Sequence, residues 1–190
     1  MSPSHPHITA AILAGGRSTR MGSPKHLLQL PDGRTLIRAV ADTLLQVTSN
    51  LVILSNAVAL ENAPHIPDIH QGLGPLSGIH ALLITNHSHE YLICPCDTPF
   101  ITADLLRLLL TPTPSLVSVF SFGADSDPEP LPMRISSSAI PCVTQTIHSA
   151  DHSLRALLQR LSPHRVPLSA DSRPFLANIN TPSDFRASFP

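Results

Sequence analysis

The chain has 190 residues, of which 42% are apolar and 13% are charged, and its formal net charge is -1. This length suits one domain with a sizeable core, and this composition excludes a largely disordered chain. A net charge so close to zero gives no reason to expect a nucleic acid or an anionic membrane as a partner.

The start of the chain and its cysteines bear on its cellular compartment. Residues 1–7 hold no basic segment followed by an apolar one, and no apolar run approaches membrane-spanning length. We therefore expect a cytoplasmic protein with reduced thiols at Cys94, Cys96 and Cys142. Cys94 and Cys96 have the spacing of a strand and no second pair nearby, which favours structural cysteines over a metal-binding or redox module.

The first predicted element is a strand at residues 8–13, whose unbroken apolar character is typical of a parallel sheet. It leads into residues 13–25, which read LAGGRSTRMGSPK. Glycines allow backbone N–H groups to approach phosphate oxygens, and Arg20 and Lys25 add positive charge. The spacing fits neither the Walker loop nor the dinucleotide-binding loop. The alternative is a glycine loop without function, but two basic residues favour a polyphosphate site.

A strand–helix–strand unit follows from the next segments. Residues 35–46 carry apolar side chains at helical spacing, and residues 51–54 form a short apolar run that ends at Ser55 and Asn56. Two strands joined by a helix are the unit of a parallel α/β sheet, so the carboxyl ends of these strands should lie at one edge.

Residues 57–73 are irregular in pattern, and Asp68 lies near their end. The segment Gly74-Pro75-Leu76-Ser77-Gly78 comes next, and Pro75 suits the first turn of a helix that runs through Ile84. The N-terminus of that helix would offer free N–H groups to an anion or to the edge of a base.

Asp97 directly follows a predicted strand at residues 91–94. One interpretation is that Asp97 caps the next helix, but Thr102 fills that role better for a helix that reaches about Leu110. The other interpretation is a Mg²⁺ ligand, because hard oxygen donors bring Mg²⁺ to nucleotide phosphates.

The second half of the chain has weaker signals. Thr181, Pro182 and Asp184 form a capping box that predicts a short C-terminal helix. The other predicted elements are strands at residues 116–122 and 131–135 and helices at residues 138–148 and 153–161.

Several of these segments together resemble one family. The pattern LAGGxSxRMGxxK, the GPLSG turn, PCDTPF and NINTPSD look, in this order, like segments of the MobA-like nucleotidyltransferases, which attach a nucleotide to the phosphate of molybdopterin. The resemblance implies a single-domain, Rossmann-like α/β fold with a mostly parallel central sheet flanked by helices and a small antiparallel element. It also implies one domain over residues 1–190, with a nucleotide-binding half at about 8–110 and an acceptor-binding half at about 115–187.

The resemblance assigns roles to individual residues. Catalysis is expected from Arg20, Lys25 and Asp97, with Asp97 also holding Mg²⁺. The acceptor phosphate would meet Arg155, Asn178 and Asn180, although a solvated arginine and two turn asparagines are equally good interpretations. The expected nucleotide-binding residues are Leu13, Ala14, Gly15, Gly16, Lys25, Ser55, Asn56, Asp68, Gly74, Pro75, Leu76, Gly78 and Asp97.

The same resemblance favours GTP over CTP, because the cytidylyl branch usually has LAAG and lacks the GPLSG turn. Gly15, without a Cβ atom, would leave room for a purine. The expected substrates are GTP and molybdopterin, the expected cofactor is Mg²⁺, and molybdoenzymes or other proteins of cofactor biosynthesis are candidate partners of a monomer or weak oligomer. The alternatives are a CTP-dependent enzyme, another small phosphate acceptor, or a nucleotide-binding regulator without turnover.

Overall fold

A seven-stranded sheet forms the centre of the computed structural model, which describes residues 5, 7–15, 25–56, 58, 60–123, 126–181 and 183–185. Six strands run in one direction, and β6 is antiparallel to both of its neighbours. The spatial order is β3-β2-β1-β4-β6-β5-β7. The strands are β1 (Ile8–Leu13), β2 (Asn50–Leu54), β3 (His65–Ile66), β4 (Glu90–Pro95), β5 (Val117–Ser121), β6 (Glu129–Ser136) and β7 (His164–Pro167).

Helices cover both faces of the sheet. Side chains of α1 and α3 share one buried cluster, and those of α2, α4 and α5 share the cluster on the opposite face. Short 3-10 helices lie at Lys25–Leu27, Ser137–Ala139 and Ala170–Leu176. The α-helices are α1 (Leu36–Leu44), α2 (Pro75–Ile84), α3 (Ala103–Leu109), α4 (Ile140–Ile147) and α5 (Leu154–Leu161). The predicted α/β fold, with its small antiparallel element, is confirmed.

β1 lies near the middle of the sheet and explains the two-sided core. All six of its residues are buried, with Ala10 and Ile12 in one cluster and Ala11 and Leu13 in the other. Successive side chains of a strand point to opposite faces, so an unbroken apolar run is what a strand covered on both faces requires.

Side-chain caps begin three of the helices. The hydroxyls of Thr35, Thr102 and Ser153 each accept the N–H group three residues later. Such a cap satisfies one of the four backbone N–H groups that a helix leaves free at its start. The predicted cap at Thr102 is thereby confirmed.

In three regions the structure contains elements that the sequence did not predict. Residues 57–73 contain the two-residue strand β3, and the segment after α5 contains β7, neither of which has an alternating apolar pattern. The predicted helix at 138–148 starts as a 3-10 turn, and α4 proper begins at Ile140. Pro141 lies in the first turn of α4. Backbone N–H groups in a first turn make no hydrogen bond within the helix, so proline, which lacks an N–H, is tolerated at this position.

Among the described residues, no helix combines the length and the apolar character needed to cross a membrane.

Packing of α2 against the sheet should supply a large part of the stability. Leu82 is fully buried in α2, whereas Ile84, two residues later, is 49% exposed. We expect Leu82→Ala to lower the free energy of unfolding by about 2–5 kcal/mol, because it removes transfer free energy and leaves a cavity. The matched Ile84→Ala should change it by about 0.5 kcal/mol or less. Urea unfolding of both variants is the measurement, and equal losses would contradict the packing of α2 described here.

Candidate active site

The candidate site lies where β1, β2 and β4 end. β1 pairs in parallel with both neighbours, and Leu13 is in register with Leu54 and Pro95. The ladder continues past the strands, since the N–H of Ala14 donates to the carbonyl of Leu54 and the N–H of Cys96 to the carbonyl of Leu13. Hydrogen bonding thus holds the loops after all three strands at one edge of the sheet, as the sequence predicted.

Asp68 stands between two glycines at this edge. A Cβ atom on Gly15 would lie 3.8 Å from Asp68 Oδ2, and one on Gly78 would lie 3.3 Å from Asp68 Oδ1. The Gly78 position is tighter, because its Cβ would also meet Leu13 and Leu54 at 3.2 and 3.3 Å. Glycine at residue 78 therefore permits a close approach of α2 to the sheet, and Gly15 leaves open space beside the carboxylate.

The side chain of Asn56 fixes Asp68. Its Oδ1 accepts the N–H of Asp68 at 2.8 Å, and its amide nitrogen donates to Asp68 Oδ2 at 3.3 Å. Burial raises the pKa of Asp68 above its usual range. Ser55 is only 2% exposed, and its hydroxyl accepts the N–H of Val58 at 3.0 Å. Of the two polar residues after β2, Asn56 is the one that faces the edge.

The N-terminus of α2 is close to Asp68. Gly74 precedes the helix with φ of 56°, a conformation that favours glycine, and Pro75 occupies the first turn. Within the described residues, no side chain caps this helix. Gly74 and Pro75 are exposed, whereas Leu76 is fully buried and packs in the core.

Lys25 connects both halves of the chain. Its ammonium donates to Asp97 Oδ2 at 2.6 Å and to Asn180 Oδ1 at 2.7 Å. The side chains of Lys25 and Asp97 are 13% and 20% exposed, so the ion pair is largely shielded from water. Asp97 and Asn180 lie 72 and 155 residues away from Lys25 in sequence.

Asp97 also has an oxygen with unused capacity. Oδ1 is buried and has no hydrogen-bond partner among the described residues. A buried acceptor without a partner costs roughly 1–3 kcal/mol, which makes it a good position for a ligand. Mg²⁺ commonly takes one or two carboxylates plus substrate phosphates, so this single oxygen fits a cation that arrives with a nucleotide.

A tight turn presents Asn180. Asp184 Oδ2 accepts the N–H groups of Asn180 and Thr181, both at 2.8 Å, and Thr181 Oγ1 accepts the N–H of Asp184 at 3.1 Å. The predicted capping box is therefore confirmed, and residues 183–185 are helical. Hydrogen bonds from the backbone N–H of Asn180 and from Thr181 lower the pKa of Asp184.

Exposed and buried side chains alternate along residues 178–180, which explains why both asparagines face outward. Ile179, between them, is 1% exposed and packs with Leu30, Leu36 and Ala39, while Asn178 and Asn180 are exposed. The N–H of Ile179 donates to the carbonyl of Asp97 at 2.9 Å. The support that Asp184 gives to Asn180 was missed as a feature of the site, although the capping-box pattern identified the residue.

One predicted site residue, Arg155, stands apart from this cluster. Gly16 and Arg20 lie outside the described residues. The Arg155 side chain is 71% exposed, with its guanidinium 3.7 Å from the carboxylate of Asp127. No described hydrogen bond or ion pair joins Arg155 to Lys25, Asp97 or Asn180.

Cys94 and Cys96 are buried in the core as free thiols. Burial raises the pKa of each thiol to about 12, so both are protonated at neutral pH. In the part of the chain that the structure describes, no group of three metal-ligating side chains is present. The burial of Cys94 and Cys96 agrees with the structural role expected for these two cysteines.

Comparisons with known proteins show which family this chain belongs to. The MobA-like NTP transferase domain matches residues 10–166. A protein of Xanthomonas euvesicatoria pv. vesicatoria described as a molybdenum cofactor guanylyltransferase is 34% identical, over 93% of this chain and 92% of its own length. A probable molybdenum cofactor guanylyltransferase of Pelotomaculum thermopropionicum is also 34% identical, over 93% of this chain and 89% of its own.

A solved structure has the same overall form. The chain resembles molybdopterin-guanine dinucleotide biosynthesis protein A of Archaeoglobus fulgidus with a TM-score of 0.77 and 25% identity, over 95% of this chain and 96% of the other. The region matched by the family, residues 10–166, runs from within β1 into β7 and so includes Lys25, Asp68 and Asp97. The chain belongs to the MobA-like NTP transferase family.

Proposed function

We propose that this protein transfers GMP from GTP to the phosphate of molybdopterin, releasing pyrophosphate and forming the guanine dinucleotide cofactor. The observation that carries the proposal is the meeting of Lys25, Asp97 and Asn180 at the edge of the sheet where β1 and β4 end. A cation, a carboxylate with an unused oxygen and an exposed amide are the groups needed where a nucleotide triphosphate meets a second phosphate. The relatives described as guanylyltransferases align over nearly the whole chain.

The donor nucleotide is assigned to the N-terminal half. The base lies in the open space beside Gly15, where Asp68 and Asn56 offer oxygen acceptors and the start of α2 offers N–H groups. The triphosphate extends from there toward Lys25. Leu13, Ala14, Gly16, Gly74, Pro75, Leu76 and Gly78 complete the proposed nucleotide site.

Asp97 is the proposed ligand of a divalent cation, which we take to be Mg²⁺. When bound, Mg²⁺ would neutralise charge on the phosphates of the donor. The Asp97 carboxylate is well placed for this role because one oxygen is held by Lys25 and the other has no partner among the described residues. The ion pair with Lys25 also keeps the carboxylate in a defined orientation.

The reaction exchanges one phosphorus–oxygen bond for another. An oxygen of the acceptor phosphate attacks the α-phosphorus, and the bond from that phosphorus to the oxygen shared with the β-phosphate breaks. Lys25, with Arg20, stabilises negative charge on the triphosphate and on the departing pyrophosphate. Asn180 and Asn178 orient the acceptor phosphate, and Arg155 contributes positive charge on that side. No covalent intermediate with the protein is required.

The decisive test supplies molybdopterin, Mg²⁺ and equimolar GTP and CTP to the purified protein. We expect a guanine dinucleotide as the product identified by mass spectrometry. A cytosine dinucleotide would keep the mechanism and overturn the nucleotide assignment. The absence of product with either nucleotide, despite measurable GTP binding, would overturn molybdopterin as the acceptor.

Asp97→Asn should lower kcat/KM about 100- to 1,000-fold, because the variant loses the charged ligand and the counter-ion of Lys25. Initial rates at several Mg²⁺ concentrations are the measurement. Asp104→Asn is the matched control, since its side chain is 94% exposed on α3. Normal product formation by Asp97→Asn would contradict the metal role. Thermal unfolding of both variants separates a loss of fold from a loss of chemistry.

Gly15→Ala tests the base assignment directly. The added methyl group lies at ordinary van der Waals distance from Asp68, 3.8 Å from Oδ2, so the fold should tolerate it. It occupies the space assigned to the purine, and we expect KM for GTP to rise about tenfold or more. Steady-state kinetics with GTP and CTP give the comparison. An unchanged KM for GTP would refute the assignment of the base to this space.

A further inference from the structure

Two histidines join the segment that carries Asp68 to helix α2. His70 Nε2 and His80 Nδ1 are 3.1 Å apart, which is a hydrogen-bonding distance, and the backbone N–H of His70 donates to Ser77 Oγ at 3.0 Å. Ser77 lies in the first turn of α2 and is only 1% exposed. The segment is therefore attached to the helix by one backbone group and by one side chain.

The contacts continue from α2 to α4, in the second half of the chain. His80 Nε2 lies 3.1 Å from Thr144 Oγ1, so both ring nitrogens of His80 have a partner. A neutral imidazole has one N–H and one acceptor nitrogen. The hydrogen bonds through His80 therefore all run in one direction, either from His70 to Thr144 or the reverse.

Asp68 lies two residues before His70 and is held on its other side by Asn56, which bonds to both its backbone N–H and its carboxylate. Ile69 is 47% exposed, whereas Asp68 and His70 on either side of it are half-buried. The side chains of Asp68 and His70 thus both turn toward the protein, the first beside Gly78 and the second against His80. A displacement of His70 from α2 would displace Asp68 as well.

We propose that His70 and His80 are positioning residues for the nucleotide site: their hydrogen bond fixes the Asp68 carboxylate beside the first turns of α2, and protonation of both rings releases it. The inference rests on the proposed function, in which Asp68 offers acceptor oxygens to the base of the donor nucleotide. Neither histidine is assigned a contact with the nucleotide, and both act through Asp68.

The hydrogen bond between the two rings tolerates one added proton but not two. When both rings are neutral, one N–H faces one acceptor nitrogen. A first proton can bind to the outer nitrogen of the donor ring and leaves this arrangement intact. A second proton must bind to the acceptor nitrogen, so that two N–H groups and two positive charges would face each other across 3.1 Å.

The surroundings of His80 oppose its protonation. Burial lowers the pKa of His80 most, and the neighbouring His70 and His148 lower it further. The other titratable side chains on the segments that pack most closely against α2 are Asp68, Cys142 and the exposed His65. A histidine with a lowered pKa in the folded protein binds fewer protons there than in an unfolded chain. The folded arrangement is therefore fully stable at neutral pH and loses stability as the pH falls below the usual histidine range.

Two substitutions of His70 separate the hydrogen bond from the charge. Glutamine keeps a hydrogen-bonding amide at a similar reach and does not titrate, whereas alanine removes the contact. We expect Kd for GTP at neutral pH, measured by calorimetry, to rise about 3- to 10-fold in His70→Ala and to stay near the wild-type value in His70→Gln. His87→Gln, at an exposed position after α2, is the matched control. An unchanged Kd in His70→Ala would overturn the positioning role.

The pH dependence of binding tests release by protonation. The ratio of Kd for the wild type to Kd for His70→Gln cancels the titration of the GTP phosphates and of the groups that the two proteins share. We expect this ratio to lie near one at neutral pH and to rise about threefold or more by about pH 5. A ratio that stays constant over this range would overturn the release.

Failure of the proposed function gives a different result from failure of this inference. A wild-type protein that binds GTP but forms no dinucleotide would refute the acceptor alone, and the comparison of Kd values would still hold. If the wild type binds no GTP, the proposed function fails, and hydrogen–deuterium exchange at residues 68–74 then measures the positioning directly. We expect faster exchange there in His70→Ala than in the wild type or His70→Gln, with unchanged exchange in β1. Equal exchange in all three proteins would overturn the proposal.

Discussion

The parallel pairing of β1 with both β2 and β4 is the constraint on which the site depends. Parallel strands in register end at one edge, and the loops that follow them must meet there. Two hydrogen bonds beyond the strands, from Ala14 to Leu54 and from Cys96 to Leu13, extend this order into the loops. Backbone pairing thus brings Gly15, Asn56 and Asp97 to the same edge of the sheet, independently of the contacts that their side chains make.

Lys25 and Asp97 form an ion pair that is better suited to binding a ligand than to stabilising the fold. Removing two charges from water is costly, and their attraction does not always repay that cost. Here Lys25 has a second partner in Asn180, but Asp97 Oδ1 has none among the described residues. A site that bears such a cost before substrate arrives gains free energy when phosphate and a cation supply the missing interactions.

The C-terminal segment gives the site its second side. Ile179 packs against the start of α1, and its N–H group binds the carbonyl of Asp97. Asp184 holds the turn by accepting two backbone N–H groups, so the exposed amide of Asn180 reaches Lys25. A buried isoleucine between two exposed asparagines therefore links the core to the proposed acceptor position. Asp97 on the proposed donor side and Asn180 on the proposed acceptor side therefore both contact the ammonium group of Lys25.

The sequence by itself determined the fold class, because its strongest signals are local. The apolar run of β1, Pro75 at the start of α2, and the caps at Thr102 and Thr181 each depend on neighbours a few residues away. β3 and β7 were missed because they are short and take their shape from adjacent strands. Only the tertiary structure decided that Asp68 lies between Gly15 and Gly78, and that Lys25 joins Asp97 to Asn180. These contacts span tens to more than a hundred residues, and strand order and packing bring them together rather than any local spacing.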